Sequence, residues 1–428
     1  MLTPRPEKKR LGPLIVVGVC LTILGSAIVN LYQLVNSTRP PSLYSKDFNV
    51  EYVMARAALN GESPYKPLPE LARYADGYTA QYLQHPSPHP PAVIFVGIPF
   101  TRFALGRAVL LWLLLELLCV AVASALMLKA IAGRVSLVGV SVLVLVWLAW
   151  HPFEREMFWG QLMIVTLTLV CGAWVALRAQ REMLGGVLLG VALALKLFGW
   201  PIVLFLLLTR RWRAFFSAVI AFALLHLAAA FVIGFSDIVA YYRVVGPSVF
   251  KLYREFAGNF SVWTIGTRVF GVSWTDWYNP LVHVPSIAPV VSVVAVVCVL
   301  ILTMRGALHT RSFDSAFCAL TCVSTVLNPI AWPHYLVLTA PALCLVAWRI
   351  KPGGFTRRTI FVAGALVVLG LLVEIVLPAI MFLSPRIPGA PPVPFLVSAI
   401  SFLPLVFVLL LTRVTLEDPG PAETDPIT

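Results

Sequence analysis

The feature that most constrains this chain is a succession of apolar segments, many of which reach or approach the ~20 residues needed to cross a bilayer. Residues 108–128 and 358–383 are the clearest of them. Inside a bilayer every backbone polar group needs a partner, so segments of this length are expected to be helices. Only 12% of the residues are charged, against roughly 25% in a soluble domain. The chain is therefore predicted to be an all-α polytopic membrane protein.

Charge and cysteine usage exclude two other classes of protein. The net charge of +13 arises in short loops between apolar segments, and no basic patch with interleaved aromatic residues indicates nucleic-acid binding. All seven cysteines lie within apolar segments, which argues against a disulfide framework. No Cys/His spacing typical of a metal site occurs, so neither a metal nor a cofactor is expected.

About twelve transmembrane helices are predicted. They cover residues 12–35, 105–128, 135–150, 161–177, 183–195, 198–208, 214–235, 285–304, 313–327, 335–348, 359–383 and 394–412. Two of them, 183–195 and 198–208, are short and flank Lys196 and Gly199. Because irregular backbone at membrane depth is tolerated where it lines a cavity, this pair is predicted to be a broken or re-entrant helix beside a cavity.

The distribution of lysine and arginine predicts the orientation. The proposed inner segments carry 18 of the 32 basic residues within about 60 residues, and the outer segments carry the other 14 within about 140. Both termini are therefore predicted to be cytoplasmic in a plasma membrane, with segments 36–104 and 236–284 outside. Residues 1–412 are interpreted as one domain, and residues 413–428 as a disordered cytoplasmic tail.

The segment 36–104 is too long to be a simple connector. Residues 47–60 are predicted to form an amphipathic helix, with four apolar residues on one face: Phe48, Tyr52, Ala55 and Leu59. Residues 67–83 are a candidate second helix, and residues 92–101 are predicted to lie along the outer surface.

Charged residues within the apolar segments are sparse, and the chief examples are Glu116 and Glu374, which are expected to pair inside the bundle. Ten of the nineteen acidic residues fall in the proposed outer segments. This distribution favours an active site at the outer face over a polar path across the membrane. The alternatives are a multi-pass transporter or lipid flippase without covalent chemistry, and an assembly scaffold.

Several motifs occur in order between about residues 47 and 341. The first begins at Asp47 and ends in Gly61-x-x-Pro64-Tyr65. The others are His89-Pro90-Pro91, Trp159-Gly160-Gln161, Lys196 with Pro201, Arg210-Arg211-Trp212-Arg213, Gly258-Asn259-Phe260-Ser261 and Asn328-Pro329-Ile330-Ala331-Trp332-Pro333-His334. The ordered set resembles glycosyltransferase family 87, within the GT-C superfamily, which includes mycobacterial mannosyltransferases and arabinofuranosyltransferases. Three departures, at Met163, Leu197 and Tyr335, bear on the donor sugar more than on the reaction class.

The resemblance implies a GT-C-type bundle and an inverting, metal-independent glycosyltransferase. Such an enzyme would move a hexose, with mannose favoured, from a polyprenyl-phosphate donor to a glycolipid or lipid-linked glycan acceptor at the outer face. The resemblance implies Asp47 as the general base, although an aspartate there could instead cap the following helix. His334 is the second proposed catalytic residue.

Eight further residues are predicted to bind substrate: Glu51, Tyr65, His89, Arg155, Gln161, Lys196, Asn259 and Arg268. Glu51 is also the fallback base. The ammonium of Lys196 suits phosphate binding, and its alternative role is that of a lysine extending from a helix end to the membrane interface. Arg155, Gln161, Asn259 and Arg268 are predicted to line the same cavity. The acceptor, the linkage and the oligomeric state are left open.

Overall fold

Helices are the only regular secondary structure in the described part of the chain. The computed structural model describes residues 11–80, 83–254, 256, 258–271, 280, 282–349 and 402–417. The α-helices in these ranges are α1 (Leu11–Asn36), α2 (Phe48–Leu59), α3 (Leu68–Leu71), α4 (Ile94–Gly97), α5 (Leu105–Ala132), α6 (Leu137–Ala149), α7 (His151–Trp159), α8 (Met163–Arg178), α9 (Glu182–Lys196), α10 (Trp200–Leu208), α11 (Trp212–Ile233), α12 (Phe235–Ala240), α13 (Gly246–Tyr253), α14 (Ile265–Phe270), α15 (Ala288–His309), α16 (Phe313–Leu327), α17 (Ala340–Arg349) and α18 (Leu403–Leu416).

Four of the described helices are long and apolar enough to cross a membrane, namely most of α1 together with α5, α11 and α15. A fifth crossing results if α6 and α7, which meet at 76°, form one bent span. The predicted all-α membrane protein is confirmed, whereas about twelve crossings are not. Helices α8, α16 and α18 are apolar but shorter. The predicted span 359–383, Glu374 and residues 418–428 of the predicted tail lie outside the described residues, as does part of the span 394–412.

Helix α2 forms where expected but is not amphipathic. All of its side chains except those of Arg56 and Leu59 are buried, and Leu59, expected on the apolar face, is 56% exposed. The reason is that α4 and α5 both pack on α2 and leave it no solvated face. The predicted second helix over 67–83 is limited to α3 and a 3-10 turn at Ala72–Tyr74. Residues 91–102 form α4 and two flanking 3-10 turns, and this segment packs on α2.

The predicted helix break is confirmed. Helix α9 ends at Lys196, and α10 begins at Trp200, with Leu197 at φ +52° between them. Helix α9 packs most extensively on α11. Gly186 and Gly190 of α9 face backbone carbonyls of α11, and a Cβ at either glycine would clash with them. Small residues thus allow close helix contact, which fixes where the end of α9 places Lys196.

The buried apolar residues form two clusters, a larger one that contains Trp174 and a smaller one around α2. Gln161 directly precedes Leu162 of the smaller cluster and Met163 of the larger one. Lys196 likewise follows Leu195 of the smaller cluster and precedes Phe198 of the larger. Both polar residues therefore lie on the boundary between the two clusters, where a cavity opens.

Candidate active site

A cavity of about 1010 Å³ lies between the segments 36–104 and 236–284, the α9–α10 break and the residues around His334. Its wall is largely apolar and aromatic, including Trp159, Phe198, Trp200, Tyr241, Phe250, Tyr253, Trp332 and Tyr335. Among the described lining residues, Asp47 contributes the single carboxylate. A large apolar cavity with a few converging polar groups is the usual form of a small-molecule site.

Asp47 directly precedes α2, and its backbone N–H donates to the carbonyl oxygen of Trp159 at 2.8 Å. The residue occupies the N-cap position, but its backbone is helical (φ −69°, ψ −28°) and its side chain makes no capping hydrogen bond. Instead the carboxylate accepts a hydrogen bond from Nε2 of Gln161. The capping alternative is therefore wrong for the side chain, which is directed at the cavity.

The turn that presents Gln161 depends on Gly160. Helix α7 ends there with φ +68°, and the N–H groups of Gly160 and Gln161 both donate to the carbonyl oxygen of Glu156, at 2.9 and 3.1 Å. An L-residue rarely adopts this backbone conformation. A Cβ at Gly160 would also lie 3.0 Å from Cβ of Phe48. Glycine therefore brings the end of α7 against the start of α2, which places Gln161 beside Asp47.

Lys196 connects Gln161 to a second buried acid. Its ammonium donates to Oε1 of Gln161 at 2.7 Å and lies 3.1 Å from Nε2 of His89. On the other side of the imidazole ring, Nδ1 of His89 lies 2.7 Å from Oε1 of Glu51. Glu51 is fully buried, and His89 and Lys196 are nearly so. The result is a continuous chain of side chains, Asp47–Gln161–Lys196–His89–Glu51, which we call the charged network.

The hydrogen bonds of Lys196 determine the tautomer of His89 and the orientation of the Gln161 amide. An ammonium group only donates hydrogen bonds, so Nε2 of His89 accepts, and the ring proton lies on Nδ1, the nitrogen on the Glu51 side. The same logic orients Gln161, whose oxygen faces Lys196 and whose amino group faces Asp47. Burial raises the pKa of the Asp47 carboxyl above its ordinary value, while the hydrogen bond from Gln161 opposes that shift. Asp47 is thus a stronger base than an aspartate in water.

His334 and Arg155 also line the cavity. Nε2 of His334 lies 3.8 Å from Oε2 of Glu156, and its ring packs edge-on against Tyr335 with centroids 4.8 Å apart. The guanidinium of Arg155 lies 5.2 Å from the centre of the Phe158 ring, so the charge is held at the cavity edge. Among the described residues, no group of three or more His, Cys, Asp or Glu side chains is arranged to hold a metal ion.

The structure brings together six of the ten predicted site residues at the cavity: Asp47, His89, Arg155, Gln161, Lys196 and His334. Glu51 and Tyr65 lie behind His89. The Tyr65 hydroxyl donates to the His89 carbonyl oxygen at 3.0 Å. Glu51 and Tyr65 are thus placed to position His89 and are not among the described lining residues.

Asn259 and Arg268, which were also expected to line the cavity, are not among its described lining residues. The Asn259 amide donates to the carbonyl oxygens of Tyr253 and Pro329, each at 3.2 Å. Its oxygen accepts from the N–H groups of Ser261 and Ala331. Arg268 donates to the carbonyl oxygens of Phe256 and Asn259. These polar atoms bond to backbone groups of residues 253–261 and 329–331, and they are therefore directed away from the cavity.

Several cavity residues are absent from the predicted substrate site, although His85 was considered as a possible metal ligand together with His89. His85 and Tyr253 join the segments 36–104 and 236–284 through a 2.7 Å contact between Nε2 and the tyrosine hydroxyl. His151 lines the same cavity from the start of α7. The sequence does contain an indication of this part of the site. Four ionisable residues lie within 151–156, between two apolar segments, and this stretch forms the first part of α7.

Comparison of the sequence with known proteins identifies a family and two similar enzymes. The profile of glycosyltransferase family 87 matches residues 88–333. The chain is 26% identical over 362 residues to the polyprenol-phosphate-mannose-dependent alpha-(1-2)-phosphatidylinositol mannoside mannosyltransferase of Mycolicibacterium smegmatis, covering 74% of this chain and 73% of the relative. The enzyme of the same name from Mycobacterium tuberculosis is 24% identical over 334 residues, covering 72% and 71%. Because the family match spans more than half of the chain and includes most of the cavity wall, the chain belongs to glycosyltransferase family 87 and is a glycosyltransferase.

Proposed function

We propose that this glycosyltransferase moves mannose, with inversion, from a polyprenyl-phosphate donor to a glycolipid or lipid-linked glycan at the outer face of the plasma membrane. The names of both mycobacterial relatives support the donor. The observation that carries the proposal is the placement of Asp47. It is the one carboxylate in the described wall of a large apolar cavity, and it accepts a hydrogen bond from Gln161, which is itself held by Lys196.

In the proposed reaction, Asp47 takes the proton of an acceptor hydroxyl as its oxygen attacks the anomeric carbon. The new carbon–oxygen bond forms while the bond to the phosphate oxygen breaks, and the phosphate leaves with that electron pair. Retention by double displacement would need a second carboxylate as nucleophile. Glu51, the fallback base, is fully buried and lies behind His89. The single accessible carboxylate therefore favours inversion.

Cationic groups of the cavity suit the departing phosphate. Lys196 and Arg155 carry positive charge at its wall, and His334 offers a ring nitrogen. Preorganised charge of this kind stabilises the negative charge that develops on a leaving group. The aromatic wall suits the first isoprenoid units of the lipid, because apolar surface there is removed from water.

The proposed orientation has about twelve crossings and cytoplasmic termini. Both segments predicted to lie outside, 36–104 and 236–284, contribute to the cavity wall, through Asp47 and Tyr253 among others. The higher density of lysine and arginine in the inner segments supports the same orientation. With this topology the cavity opens at the outer face, where the head of a polyprenyl-phosphate donor lies.

The test is transfer from radiolabelled polyprenyl-phosphate mannose into a membrane glycolipid extract by the purified, reconstituted protein. Asn in place of Asp47 keeps the side-chain shape but removes the base. We expect Asp47→Asn to lower kcat by roughly 10²–10⁴-fold, the usual contribution of a general base. Glu70→Gln is the matched control, because Glu70 is an exposed acid of the same segment, and it should keep wild-type activity.

Two outcomes would contradict the proposal in different ways. If Asp47→Asn retains activity, the base assignment is wrong. If the wild-type protein transfers no sugar from any polyprenyl phosphate, the donor class is wrong, and lipid translocation is the next assay.

The pH profile gives an independent measure of the base. Asp47 must be deprotonated to act, so activity rises with pH through its pKa. Burial raises that pKa. The acid limb of kcat/KM should therefore lie above the value of about 3.9 that is typical of aspartate in water. The residual activity of Asp47→Asn should lack this limb.

A further inference from the structure

A second, smaller cavity lies next to the first. Its volume is about 220 Å³, and its wall consists of Gln33, Asn36, Ser37, Ser42, Glu154, Arg155 and Phe158. We infer that this cavity, which we call the polar subsite, binds one sugar ring of the acceptor. The inference rests on the proposed function and adds a location for the substrate that receives the mannose.

The strongest observation is an unpartnered acid. Glu154 is 2% exposed, and its Oε1 atom has no hydrogen-bond partner among the described residues. Its other oxygen lies 3.2 Å from Nε of Arg155 and 3.5 Å from Nδ1 of His151. A buried carboxylate oxygen without a donor is costly, because it has lost its water. A hydroxyl group bound in the polar subsite would supply the missing donor.

The other lining groups match a polyhydroxyl ring better than an anion or a lipid chain. The side chains of Gln33, Asn36 and Ser42 make no hydrogen bond to a described residue. Amides and hydroxyls both donate and accept, as sugar hydroxyls do, whereas Glu154 only accepts and would repel a phosphate. At about 220 Å³, the space is also below the range of about 300–1,000 Å³ typical of larger ligand pockets, which fits a single ring.

The polar subsite is connected to the catalytic cavity in two ways. Arg155 lines both cavities. Lys46, the neighbour of Asp47, donates to Oγ of Ser37 at 2.8 Å and to the carbonyl oxygen of Phe158 at 2.5 Å. Burial lowers the pKa of Lys46 to about 8. Lys46 thus contacts two residues of the polar subsite, while its neighbour Asp47 lines the catalytic cavity, so an acceptor ring in the polar subsite would lie on the side of the base.

The experiment uses the full reconstituted protein, polyprenyl-phosphate mannose and the glycolipid that the wild type labels, tried first as phosphatidylinositol mannoside. Initial rates are measured with each substrate varied in turn. We expect Glu154→Gln and Asn36→Leu to raise the acceptor KM by about tenfold, because a site built to bind hydroxyls loses a partner. The donor KM should change by less than about threefold. Thr38→Ala, at the same end of α1 but outside the wall, should leave both unchanged.

A series of monodeoxy acceptors sharpens the test. The wild type should discriminate against the acceptor that lacks the hydroxyl bound by Glu154, and Glu154→Gln should lose that discrimination. An unchanged acceptor KM in well-folded variants, or an equal rise in both KM values, overturns the polar subsite while the proposed function stands. A wild type that transfers no mannose overturns both.

Discussion

Two groups of buried polar side chains differ in what they bond to. The charged network links side chain to side chain, from Asp47 through Gln161, Lys196 and His89 to Glu51. The second group, which we call the loop cluster, consists of Ser261, Asn259 and Arg268, and its hydrogen bonds among the described residues go to backbone groups. Apart from Asp47, which is partly exposed, the members of both groups are buried, and both groups lie in or near family motifs.

The difference separates function from stability. The polar side chains of the loop cluster provide hydrogen-bond partners for backbone N–H and C=O groups that have none within a helix. The loop cluster therefore stabilises the fold. Charged side chains bonded to each other at a cavity keep charge available to a ligand, although burying them is unfavourable. Residues organised for chemistry commonly reduce stability. Variants of the charged network should therefore lose activity and keep stability, and variants of the loop cluster should do the opposite.

The largest effect in this comparison is expected for Lys196→Met. The variant removes the central cation, and we expect kcat/KM to fall by roughly 10²–10³-fold, as when one group that stabilises developing charge is lost. The unfolding midpoint should fall only modestly, because the variant leaves Gln161 and His89 without a partner but also removes the cost of burying the ammonium. Lys251→Met, at an exposed lysine of α13, is the control for both measurements. A large loss of stability would place Lys196 with the structural residues.

A smaller effect is expected for Glu51→Gln. A glutamine amide can donate to Nδ1 of His89, which moves the ring proton to Nε2 and leaves two donors facing each other at Lys196. Loss of such a positioning partner typically costs about 10–100-fold in activity. The measurement is a double-mutant cycle with Lys196→Met. If Glu51 acts through Lys196, its effect disappears in that background, whereas additive losses would indicate a separate structural role.

Much of the helical framework could be predicted from the sequence. The apolar segments 214–235 and 313–327 correspond closely to Trp212–Ile233 and Phe313–Leu327, because an apolar run of this length has to be a helix in lipid. The burial of α2 could not be predicted, since the short helix α4 that covers it comes from a distant part of the sequence. Helix α7 was missed because its polar residues resemble a loop.

The candidate site was predictable as a set of residues but not as an arrangement. The family motifs pointed to Lys196 and Asn259 alike, since both are polar residues within matched segments. Their roles depend on their hydrogen-bond partners, and tertiary packing determines which groups those are. Lys196 faces Gln161 and His89 across the cavity wall, whereas Asn259 faces the carbonyl oxygen of Pro329.

The smallest effect on activity is expected for Asn259→Ala, although it should be the most destabilising change considered. The variant removes four hydrogen bonds and leaves the N–H groups of Ser261 and Ala331 without their acceptor. Groups orphaned in this way cost about 1–3 kcal/mol each, so the unfolding midpoint should fall by several degrees. Asn60→Ala, at the exposed end of α2, is the matched control in detergent melting curves. The kcat per folded molecule should stay within about threefold of wild type, because the side chain is directed away from the cavity. If activity collapses while the midpoint holds, Asn259 binds substrate after all, and the division between the charged network and the loop cluster fails.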